Sequence, residues 1–402
     1  MELEPIADRY DVIIAGARCA GAATARLLAQ GGARVLVVDP ARPGSDTLST
    51  HALMRGAVVQ LHRWGLLEAV AAAGTPAIRR TTFHYGDRDP IAVDIQERHG
   101  THALYAPRRT VLDTILVDAA QAEGVHVAFG WSLRGLVRDS SGRVTGARIT
   151  GTGGAERCVG SAIVIGADGA RSQVARLVEA ELLHEGQHTT ASIYGYVDAL
   201  DSDGYHWYYD LGMAAGTIPT NHGKACVFCS IDPGVLRSGG RPLLRETFLN
   251  TVEKMAPQLL PRLRVEEPRL RAFAGLHGFV RRSAGPGWAL VGDAGYFKDP
   301  LTAHGITDAF RDAEFLAEAV LSGRDERIQE YPVLRDTMVR SFMEVTDEIA
   351  SMNWTLDEVQ ALHRTANREM NRIVEAQLEA FDRSVRGTGT TTPTVLSVRL
   401  SA

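Results

Sequence analysis

Cysteine is scarce in this sequence, with four residues in 402: Cys19, Cys158, Cys226 and Cys229. So few thiols, so far apart, do not form a disulfide framework in a chain of this size. Cys226 and Cys229 make one C-x-x-C inside a strand-like run, where residues three apart point to opposite faces of a sheet. No second pair accompanies them to complete a zinc site. We therefore expect reduced, buried cysteines in this run and no bound metal.

Lysine and excess positive charge are also lacking. The only lysines are Lys224, Lys254 and Lys298, and the formal net charge is -5. The arginines are scattered along the chain and form no basic run that would follow a phosphate backbone. We therefore expect no nucleic acid partner.

Long hydrophobic runs are absent as well. No apolar segment reaches the roughly 18 residues of a membrane-spanning helix, so we expect no membrane span. The chain starts Met-Glu-Leu-Glu-Pro, without the basic and apolar regions of a signal peptide. Hydrophobic residues still make up 45% of the sequence, enough for a sizeable core. These features predict a cytoplasmic globular protein.

The N-terminal segment has the pattern of a strand, a glycine turn, a helix and a second strand. Gly16 ends the first apolar run and allows a sharp turn, while Gly21 allows the helix to pack close to the sheet. The N-terminal end of that helix would face a pyrophosphate. Asp39 closes the second strand 23 residues after Gly16, a spacing that suits a hydrogen bond to a ribose. Arg18 replaces the second glycine of G-x-G-x-x-G and could face a phosphate instead.

Two more buried strands run into Gly-Asp turns. The strand over 162–166 leads to Asp168-Gly169, and the strand over 288–292 leads to Gly292-Asp293. Turns at the carboxyl ends of parallel strands are suited to carry ligands.

Between these turns lie short alternating segments punctuated by Gly, Asp and Pro, which predict antiparallel strands. From about Ala309 the sequence has strong helical periodicity. We therefore predict an α/β fold: a Rossmann-like cofactor domain, an inserted, mostly antiparallel β-sheet substrate domain and a helical C-terminal region. The predicted boundaries are 1–75, 105–180 and 275–333 for the first domain, 76–104 and 181–274 for the second, 334–386 for the C-terminal helices and 387–402 for an extended or mobile tail.

The three glycine turns, in this order, resemble the FAD signatures of the class A flavoprotein monooxygenases, which have the p-hydroxybenzoate hydroxylase-like fold. The flavin-dependent halogenases and geranylgeranyl reductases are relatives with the same signatures. The resemblance covers about residues 8–325. It implies that the first domain binds FAD and that NADPH or NADH is a transient reductant.

Carried over residue by residue, the resemblance implies that Asp39 contacts the adenosine ribose and that Asp293 contacts the ribityl chain or the pyrophosphate of FAD. Arg109 matches the arginine of the family's R-x-x-L-D helix, which contacts FAD. Arg55 is similar to a second flavin-side arginine, although a solvated helix arginine is an equal alternative. The predicted cofactor-binding residues are Gly16, Arg18, Cys19, Ala20, Gly21, Asp39, Arg55, Arg109, Asp168, Gly169, Gly292, Asp293, Pro300, Ala303, His304 and Gly305.

Two histidines are candidate catalytic residues. The turn from Pro300 to Gly305 precedes a helix, so its free amides should point at the flavin N1 and C2 carbonyl, where negative charge develops on reduction. His304, on that turn, could stabilise this charge or contact the substrate, or be satisfied by the backbone. His51 lies on the segment that should lead from the second strand toward the flavin, and its role is open.

The inserted sheet is the expected cover of the substrate pocket. In its most aromatic stretch Tyr205, Trp207 and Tyr209 share one face of a strand, and His206 and Tyr208 share the other. The sequence does not say which face meets the flavin. The expected pocket residues are Trp207, Tyr209, Ile218 and Pro219.

The resemblance implies a single-component monooxygenase of hydroxylase or epoxidase type. NAD(P)H would reduce the flavin, O2 would form the C4a-hydroperoxide, and one oxygen atom would enter an apolar or aromatic small molecule with water excluded. The alternative is an ene-reductase or dehydrogenase without oxygen insertion, with His304 or a sheet tyrosine as proton donor. A non-catalytic FAD-binding protein is a third possibility. Either a monomer or a homodimer is compatible with the sequence.

Halogenation is disfavoured within this family. Its halogenases use a lysine after the second strand and a W-x-W-x-I-P segment near the flavin. No lysine precedes Lys224, and Ala214 and Gly216 stand where the tryptophans would be. Only the Ile218-Pro219 pair of the segment is kept.

Overall fold

The computed structural model describes residues 5–198, 203–237, 240–266 and 268–387. The predicted tail lies outside these residues from position 388 onward. The strands are β1 Val12–Ala15, β2 Val35–Asp39, β3 Arg80–Tyr85, β4 Ile91–Asp94, β5 His126–Phe129, β6 Trp131–Arg138, β7 Val144–Gly151, β8 Glu156–Gly160, β9 Ile163–Gly166, β10 Leu182–Glu185, β11 Ala191–Asp198, β12 Tyr205–Asp210, β13 Met213–Thr220, β14 Lys224–Ile231, β15 Arg271–Phe273, β16 Phe279–Arg281, β17 Ala284–Gly285, β18 Trp288–Leu290 and β19 Tyr296–Phe297. The α-helices are α1 Cys19–Gln30, α2 Arg55–Arg63, α3 Leu67–Ala72, α4 Arg109–Ala122, α5 Gln173–Leu177, α6 Pro233–Arg237, α7 Gly240–Met255, α8 Leu260–Glu266, α9 Gly305–Leu321, α10 Asp325–Ala350 and α11 Leu356–Gly387, and 3-10 helices span Pro257–Leu259, Gly292–Ala294 and Pro300–Thr302.

The first sheet has six strands in the order β17-β18-β9-β1-β2-β5. All neighbours except the edge pair β17–β18 are parallel. Every residue of β1 and β2 is buried, as expected for apolar strands covered on both faces. Helices α1 and α4 pack on one face, and the small sheet β6-β7-β8 packs on the other. The predicted Rossmann-like architecture is confirmed.

The second sheet has seven strands in the order β15-β11-β14-β13-β12-β3-β4. It is antiparallel except for the pair β12–β3, so the mostly antiparallel sheet is also confirmed. Its strands come from the two segments assigned to the inserted domain, whose boundaries stay a prediction. Helix α7, which the sequence analysis did not anticipate, covers one face of this sheet through Phe248 and Val252.

The other face of this sheet turns toward the first sheet and the C-terminal helices. Tyr205, Trp207 and Tyr209 lie on it, together with Phe228 of β14. Gly216 allows the aromatic contact across the sheet, since a Cβ there would lie 2.5 Å from Phe228 Cε1 and 2.8 Å from the His206 carbonyl oxygen. The rings of Trp207 and Phe228 meet edge to face with centroids 5.8 Å apart.

The C-terminal region is helical, as predicted, although its first long helix begins at Asp325 and not at 334. Helix α10 packs against α9 and α11, and α11 carries several residues to the aromatic face of the seven-stranded sheet. No helix in the described part of the chain is both long and apolar enough to cross a bilayer.

Substitution of Gly216 tests the packing of this face. We expect Gly216→Ala to lower the free energy of unfolding by about 1–3 kcal/mol, because the new methyl group has no space against Phe228 and a backbone oxygen. Gly153→Ala is the control, since no atom lies within 4 Å of a Cβ at that position. Urea denaturation measures both changes, and equal stability of the two variants would contradict the packing described.

Candidate active site

Three glycines bring the turns at the ends of β1, β9 and β18 close together. Gly16 has φ +104°, and a Cβ there would lie 2.4 Å from the Ala167 carbonyl oxygen. A Cβ on Gly21 would lie 1.8 Å from the carbonyl oxygen of Gly16, and one on Gly292 would lie 3.0 Å from Ala20 Cβ. Helix α1 can therefore start directly at the carboxyl edge of the sheet only because these positions lack side chains.

The amides at the start of α1 are open. Its N-cap residue Arg18 makes no capping hydrogen bond with its side chain, and the first amide to donate along the helix is that of Ala22, to the Arg18 carbonyl. The amides of Cys19, Ala20 and Gly21 therefore have no acceptor among the described residues. Open amides at a helix N-terminus favour a bound anion.

Helix α9 begins in the same way. Pro300 starts a 3-10 turn, Ala303 has a left-handed conformation with φ +53°, and the N-cap His304 makes no capping bond with its side chain. The first donated amide is that of Asp308, to the His304 carbonyl. The helix thus presents open amides from Gly305 onward within the described structure. This is the arrangement expected for a ligand atom that gains negative charge.

Asp113 is the buried carboxylate that ties α4 to the start of α1. It accepts two hydrogen bonds from Arg109, at 3.0 and 3.1 Å, and one from the Arg18 guanidinium at 3.1 Å. It also accepts the Cys19 thiol at 3.2 Å. Arg18 further donates to the carbonyls of Ser45 and Asp46. The guanidinium of Arg18 is therefore engaged by the protein itself, and its contact with a phosphate stays a prediction.

Asp293 differs from the other acidic residues of the turns because its carboxylate has no hydrogen bond from another described residue. Burial raises its pKa to about 6, against the lowering effects of Lys298 and Arg109. A Cβ on Gly305 would lie 3.9 Å from Asp293 Oδ1, so this carboxylate faces the start of α9. It is placed to accept hydrogen bonds from ligand hydroxyl groups.

Asp39 and Asp168 instead hold their own turns. Asp39 accepts the amides of Ala17 and Ala41, both at 2.8 Å. Asp168 accepts the Ser172 hydroxyl at 2.5 Å and the Gln173 amide at 2.7 Å. Gly169, next to it, has φ +80° and open space around it. Asp39 therefore bridges the Gly16 turn and the end of β2, and its contact with a ribose stays a prediction. Asp168 holds the turn after β9, and its contact with FAD stays a prediction as well.

A cavity of about 430 Å³ lies between the seven-stranded sheet, α2, α11 and the turn before α9. Its sheet wall is aromatic, formed by Phe83 and Tyr85 of β3 and by Tyr205, Trp207 and Tyr209 of β12. The face of β12 that carries Trp207 and Tyr209 therefore lines the cavity. Leu301, Thr302 and His304 bring the turn of α9 to the same cavity.

Ile218 and Pro219 are not among the residues that line this cavity. Ile218 shares the inward face of β13 but is fully buried opposite Cys226, two positions along from Gly216. Pro219, the next residue, has the opposite orientation because side chains alternate along a strand. The expectation that this pair lines the pocket has no support in the packing.

His304 is buried, with 1% of its surface exposed. Its Nδ1 lies 3.2 Å from Asp308 Oδ1, which also accepts a hydrogen bond from Arg311. Lys298 donates to the other carboxylate oxygen of Asp308. Burial and the charges of Lys298 and Arg311 hold the pKa of His304 well below its ordinary value. The imidazole is thus neutral, with its proton assigned to Nδ1 by the carboxylate and a lone pair left on Nε2.

His51 lies apart from the cavity. Its backbone is left-handed with φ +52°, its Nε2 lies 3.0 Å from the Tyr196 hydroxyl, and the two rings are stacked. The Arg108 guanidinium lies 3.7 Å from the centre of the same tyrosine ring. Burial, with the charges of Arg108 and Arg109, lowers the pKa of His51 to about 3. The structure therefore does not bring the two candidate histidines together.

The sequence analysis missed a polar pair in the cavity wall. Tyr85 of β3 and His363 of α11 are joined by a hydrogen bond of 2.8 Å between the phenol oxygen and Nδ1. Burial raises the pKa of Tyr85 to about 12 and lowers that of His363 to about 4, so the phenol donates to a neutral imidazole. The ring of Tyr209 lies 4.2 Å from that of His363. The alternation of Phe83 and Tyr85 was a usable signal, but nothing local pointed to a partner 278 positions away.

The geometry at the edge of the six-stranded sheet fits FAD. Two sets of open amides, at α1 and α9, match a pyrophosphate and the flavin pyrimidine. The unpaired carboxylate of Asp293 suits hydroxyl groups of a linking chain, and the close glycine contacts leave the backbone accessible. The aromatic cavity adjoins the turn of α9, where the flavin ring would lie.

A family profile described as "FAD binding domain" matches residues 9–346. The chain therefore belongs to this family and is an FAD-dependent flavoprotein oxidoreductase. The resemblance to the class A flavoprotein superfamily is confirmed.

Curated relatives include both reductases and a monooxygenase. The chain is 29% identical over 341 residues to a menaquinone reductase of Mycolicibacterium smegmatis, covering 78% of this chain and 77% of that protein. It is 26% identical over 325 residues to a digeranylgeranylglycerophospholipid reductase of Methanosarcina mazei, covering 78% and 75%. It is 25% identical over 329 residues to a 6-methylpretetramide 4-monooxygenase of Streptomyces rimosus, covering 78% and 56%.

Solved structures share the fold at lower identity. The myxobacterial chondrochloren halogenase CndH superposes with a TM-score of 0.74 at 18% identity, covering 97% of this chain and 93% of that one. PqsL of Pseudomonas aeruginosa, solved in complex with 2-aminobenzoylacetate, gives a TM-score of 0.74 at 19% identity, covering 89% and 100%.

Removing the charge of Asp113 tests how the start of α1 is held. We expect Asp113→Asn to destabilise the protein by about 3–5 kcal/mol, because it leaves Arg18 and Arg109 without their buried counter-charge. FAD affinity, measured by quenching of flavin fluorescence, should fall at least roughly tenfold with it. The control is Asp118→Asn, an exposed position on the same helix. Unchanged FAD affinity in Asp113→Asn would contradict this role.

Asp293 should give the FAD-free protein a pH-dependent stability. Because its pKa is raised in the folded state, the folded chain binds this proton more tightly than the unfolded chain. In the folded chain the unfavourable negative charge of Asp293 is absent below about pH 4 and fully present above the raised pKa. We expect the unfolding free energy of the wild type, minus that of Asp293→Asn, to fall as pH rises from about 4 to 7. Urea denaturation across this range measures the difference, and a rise would contradict the burial of the carboxylate.

Proposed function

We propose that the chain is an FAD-dependent monooxygenase of hydroxylase or epoxidase type. It would use NADPH or NADH and O2 and act on an apolar or aromatic small molecule. The observation that carries the proposal is the aromatic cavity beside the turn of α9, because oxygen transfer from a flavin needs apolar walls that keep water from the reacting atoms. FAD, when bound, supplies the activation of O2.

The cofactor would be held by some of the residues already predicted from the sequence. The open amides of α1 and the turn at Gly16 suit the pyrophosphate, and the free carboxylate of Asp293 suits the ribityl hydroxyls. The open amides from Gly305 onward suit the flavin pyrimidine, which gains negative charge on reduction. Arg109, fixed by Asp113, adds a positive charge beside Asp293.

The substrate would lie against the aromatic wall. Trp207, Tyr209 and Phe83 offer flat apolar surfaces that stack on an aromatic or unsaturated compound. His304 lines the same cavity as a neutral imidazole whose Nε2 carries a lone pair, so it accepts a hydrogen bond from a substrate hydroxyl. A hydroxyl oriented in this way fixes which carbon of the substrate faces the flavin.

The second candidate is reduction of a carbon–carbon double bond without oxygen insertion. Two relatives are named as reductases, and the hydroxyl of Tyr209 lines the cavity with no hydrogen-bond partner among the described residues. Tyr209 would be a proton donor in this reaction. His304 is less suited to do so, because its proton is directed to Asp308. Burial also raises the pKa of Tyr209, which makes it a weak acid.

Products formed under 18O2 separate the two candidates. We would incubate the FAD-loaded enzyme with NADPH or NADH and a panel of alkylphenols, quinones and prenyl lipids. Monooxygenation predicts a product that carries one 18O atom, with O2 consumed in proportion. A product that has gained two hydrogens, formed equally well without O2, would overturn the monooxygenase and support the reductase.

Opening the aromatic wall should uncouple the reaction. We expect Trp207→Leu to increase the share of reductant oxidation that ends in hydrogen peroxide roughly twofold or more, because water gains access to the site. The matched control is His206→Leu, whose side chain lies on the other face of β12. Peroxide yield and product yield are measured together, and equal peroxide fractions in the two variants would contradict the placement of the substrate.

A further inference from the structure

The mouth of the cavity is basic, in contrast to its apolar interior. Arg55, Arg98 and Arg364 all belong to its lining, with Arg98 and Arg364 exposed and Arg55 partly buried. In the described part of the chain none of the three forms a salt bridge with a carboxylate. Three guanidinium groups therefore lie at one opening without a carboxylate in contact with any of them among the described residues.

Arg55 is the innermost of these residues. Its guanidinium donates to the Gln96 carbonyl at 2.8 Å and to the carbonyl and hydroxyl of Thr101, both at 3.4 Å. Burial and the charge of Arg98 lower its pKa. Two like charges are therefore held near each other with only neutral acceptors around Arg55, which is unfavourable unless an anion joins them.

Two acidic residues near the opening are paired with arginines outside the cavity lining. Asp94, also in the lining, forms a salt bridge of 2.8 Å with Arg80. Asp357, on the first turn of α11, pairs with Arg88 at 2.7 Å. These carboxylates reduce the field at the mouth but do not contact its three arginines.

Exposed apolar side chains lie beside the basic ones. Ile91 and Val93 of β4 line the cavity while 45% and 44% of their surfaces are exposed. The amide side chain of Asn367 on α11 belongs to the same lining. The apolar part of a ligand in this opening would therefore contact apolar side chains, and the outer end of the ligand would contact arginine hydrogen-bond donors.

We propose that the ligand of this cavity is an amphipathic anion. Its apolar or aromatic body lies against the β12 and β3 wall, and its carboxylate or phosphate is bound at the mouth by Arg98 and Arg364, with Arg55 behind them. The planar fork of a guanidinium matches the two oxygens of such a group. The proposal rests on the proposed function insofar as this cavity is the substrate site. It narrows the substrate class to compounds with an anionic end.

Binding of matched probes tests this without any turnover. The FAD-loaded enzyme is titrated by calorimetry with 4-butylbenzoate and with 4-butylbenzyl alcohol, which differ mainly in charge. We expect the acid to bind about tenfold more tightly at low salt, and added salt to reduce this preference. Arg364→Gln and Arg98→Gln should each remove most of the preference and leave the affinity for the alcohol unchanged. Arg368→Gln, one turn along α11 and outside the cavity lining, is the matched control.

The source of the anion is distinguished with vesicles. Association of the wild type, but not of the Arg98→Gln/Arg364→Gln double variant, with phosphatidylglycerol vesicles would identify a lipid headgroup. Tight binding of 4-butylbenzoate without vesicle association would identify a free acid.

Three results would overturn the proposal. The first is equal affinity of the wild type for the acid and the alcohol. The second is an equal loss of affinity for both probes in the arginine variants. The third is displacement of the acid by NADPH, which would mean that the arginines bind the reductant. These titrations form no product, so they can support the anionic ligand even if the 18O2 experiment contradicts the monooxygenase. The 18O2 experiment can likewise support the monooxygenase even if the titrations contradict the anionic ligand. Failure of the substrate class and failure of the reaction type are therefore distinguishable.

Discussion

The structure depends on two helices whose first turns are left without partners. The open amides of α1 and α9 meet at the carboxyl edge of the six-stranded sheet, and each would be unfavourable without a ligand or water to accept its hydrogen bonds. Gly16, Gly21 and Gly292 are required because the helices approach the strands too closely for any side chain. Asp113 is required because it fixes Arg109 and the start of α1. The site proposed for FAD depends on this one constraint.

The turn before α9 links the cofactor side of the molecule to the substrate side. Asp308 collects His304, Lys298 and Arg311 in a buried cluster, and Tyr296 and Phe342 lie beneath the lysine. With these charges paired internally, His304 enters the cavity as a neutral group. The cavity therefore has aromatic walls, a neutral polar floor and a basic mouth, and each of these zones would recognise a different part of a substrate.

The parts of the fold that depend on local pattern could be predicted from the sequence. Glycine turns after apolar runs identified the edge of the first sheet, and strict alternation identified β12 and its two faces. Residues joined only by tertiary packing could not be predicted: His363 of a distant helix contacts Tyr85, and Arg364 and Arg98 come from distant segments to the lining of one cavity. Ile218 does not line the cavity, because its place on an inward face does not decide whether a neighbouring side chain covers it. The sequence position of Arg18 suggested a contact with a phosphate, but the guanidinium of Arg18 already donates a hydrogen bond to Asp113.

The most direct test of the central claim is the reaction of the reduced enzyme with oxygen. The FAD-loaded protein is reduced without air, mixed rapidly with O2, and followed by absorbance through the return of oxidised flavin. The account predicts a transient flavin–oxygen adduct that is distinct from both reduced and oxidised flavin, and that is shorter-lived in Trp207→Leu than in the wild type. Direct return to oxidised flavin, with no adduct in the presence or absence of candidate substrates, would contradict it.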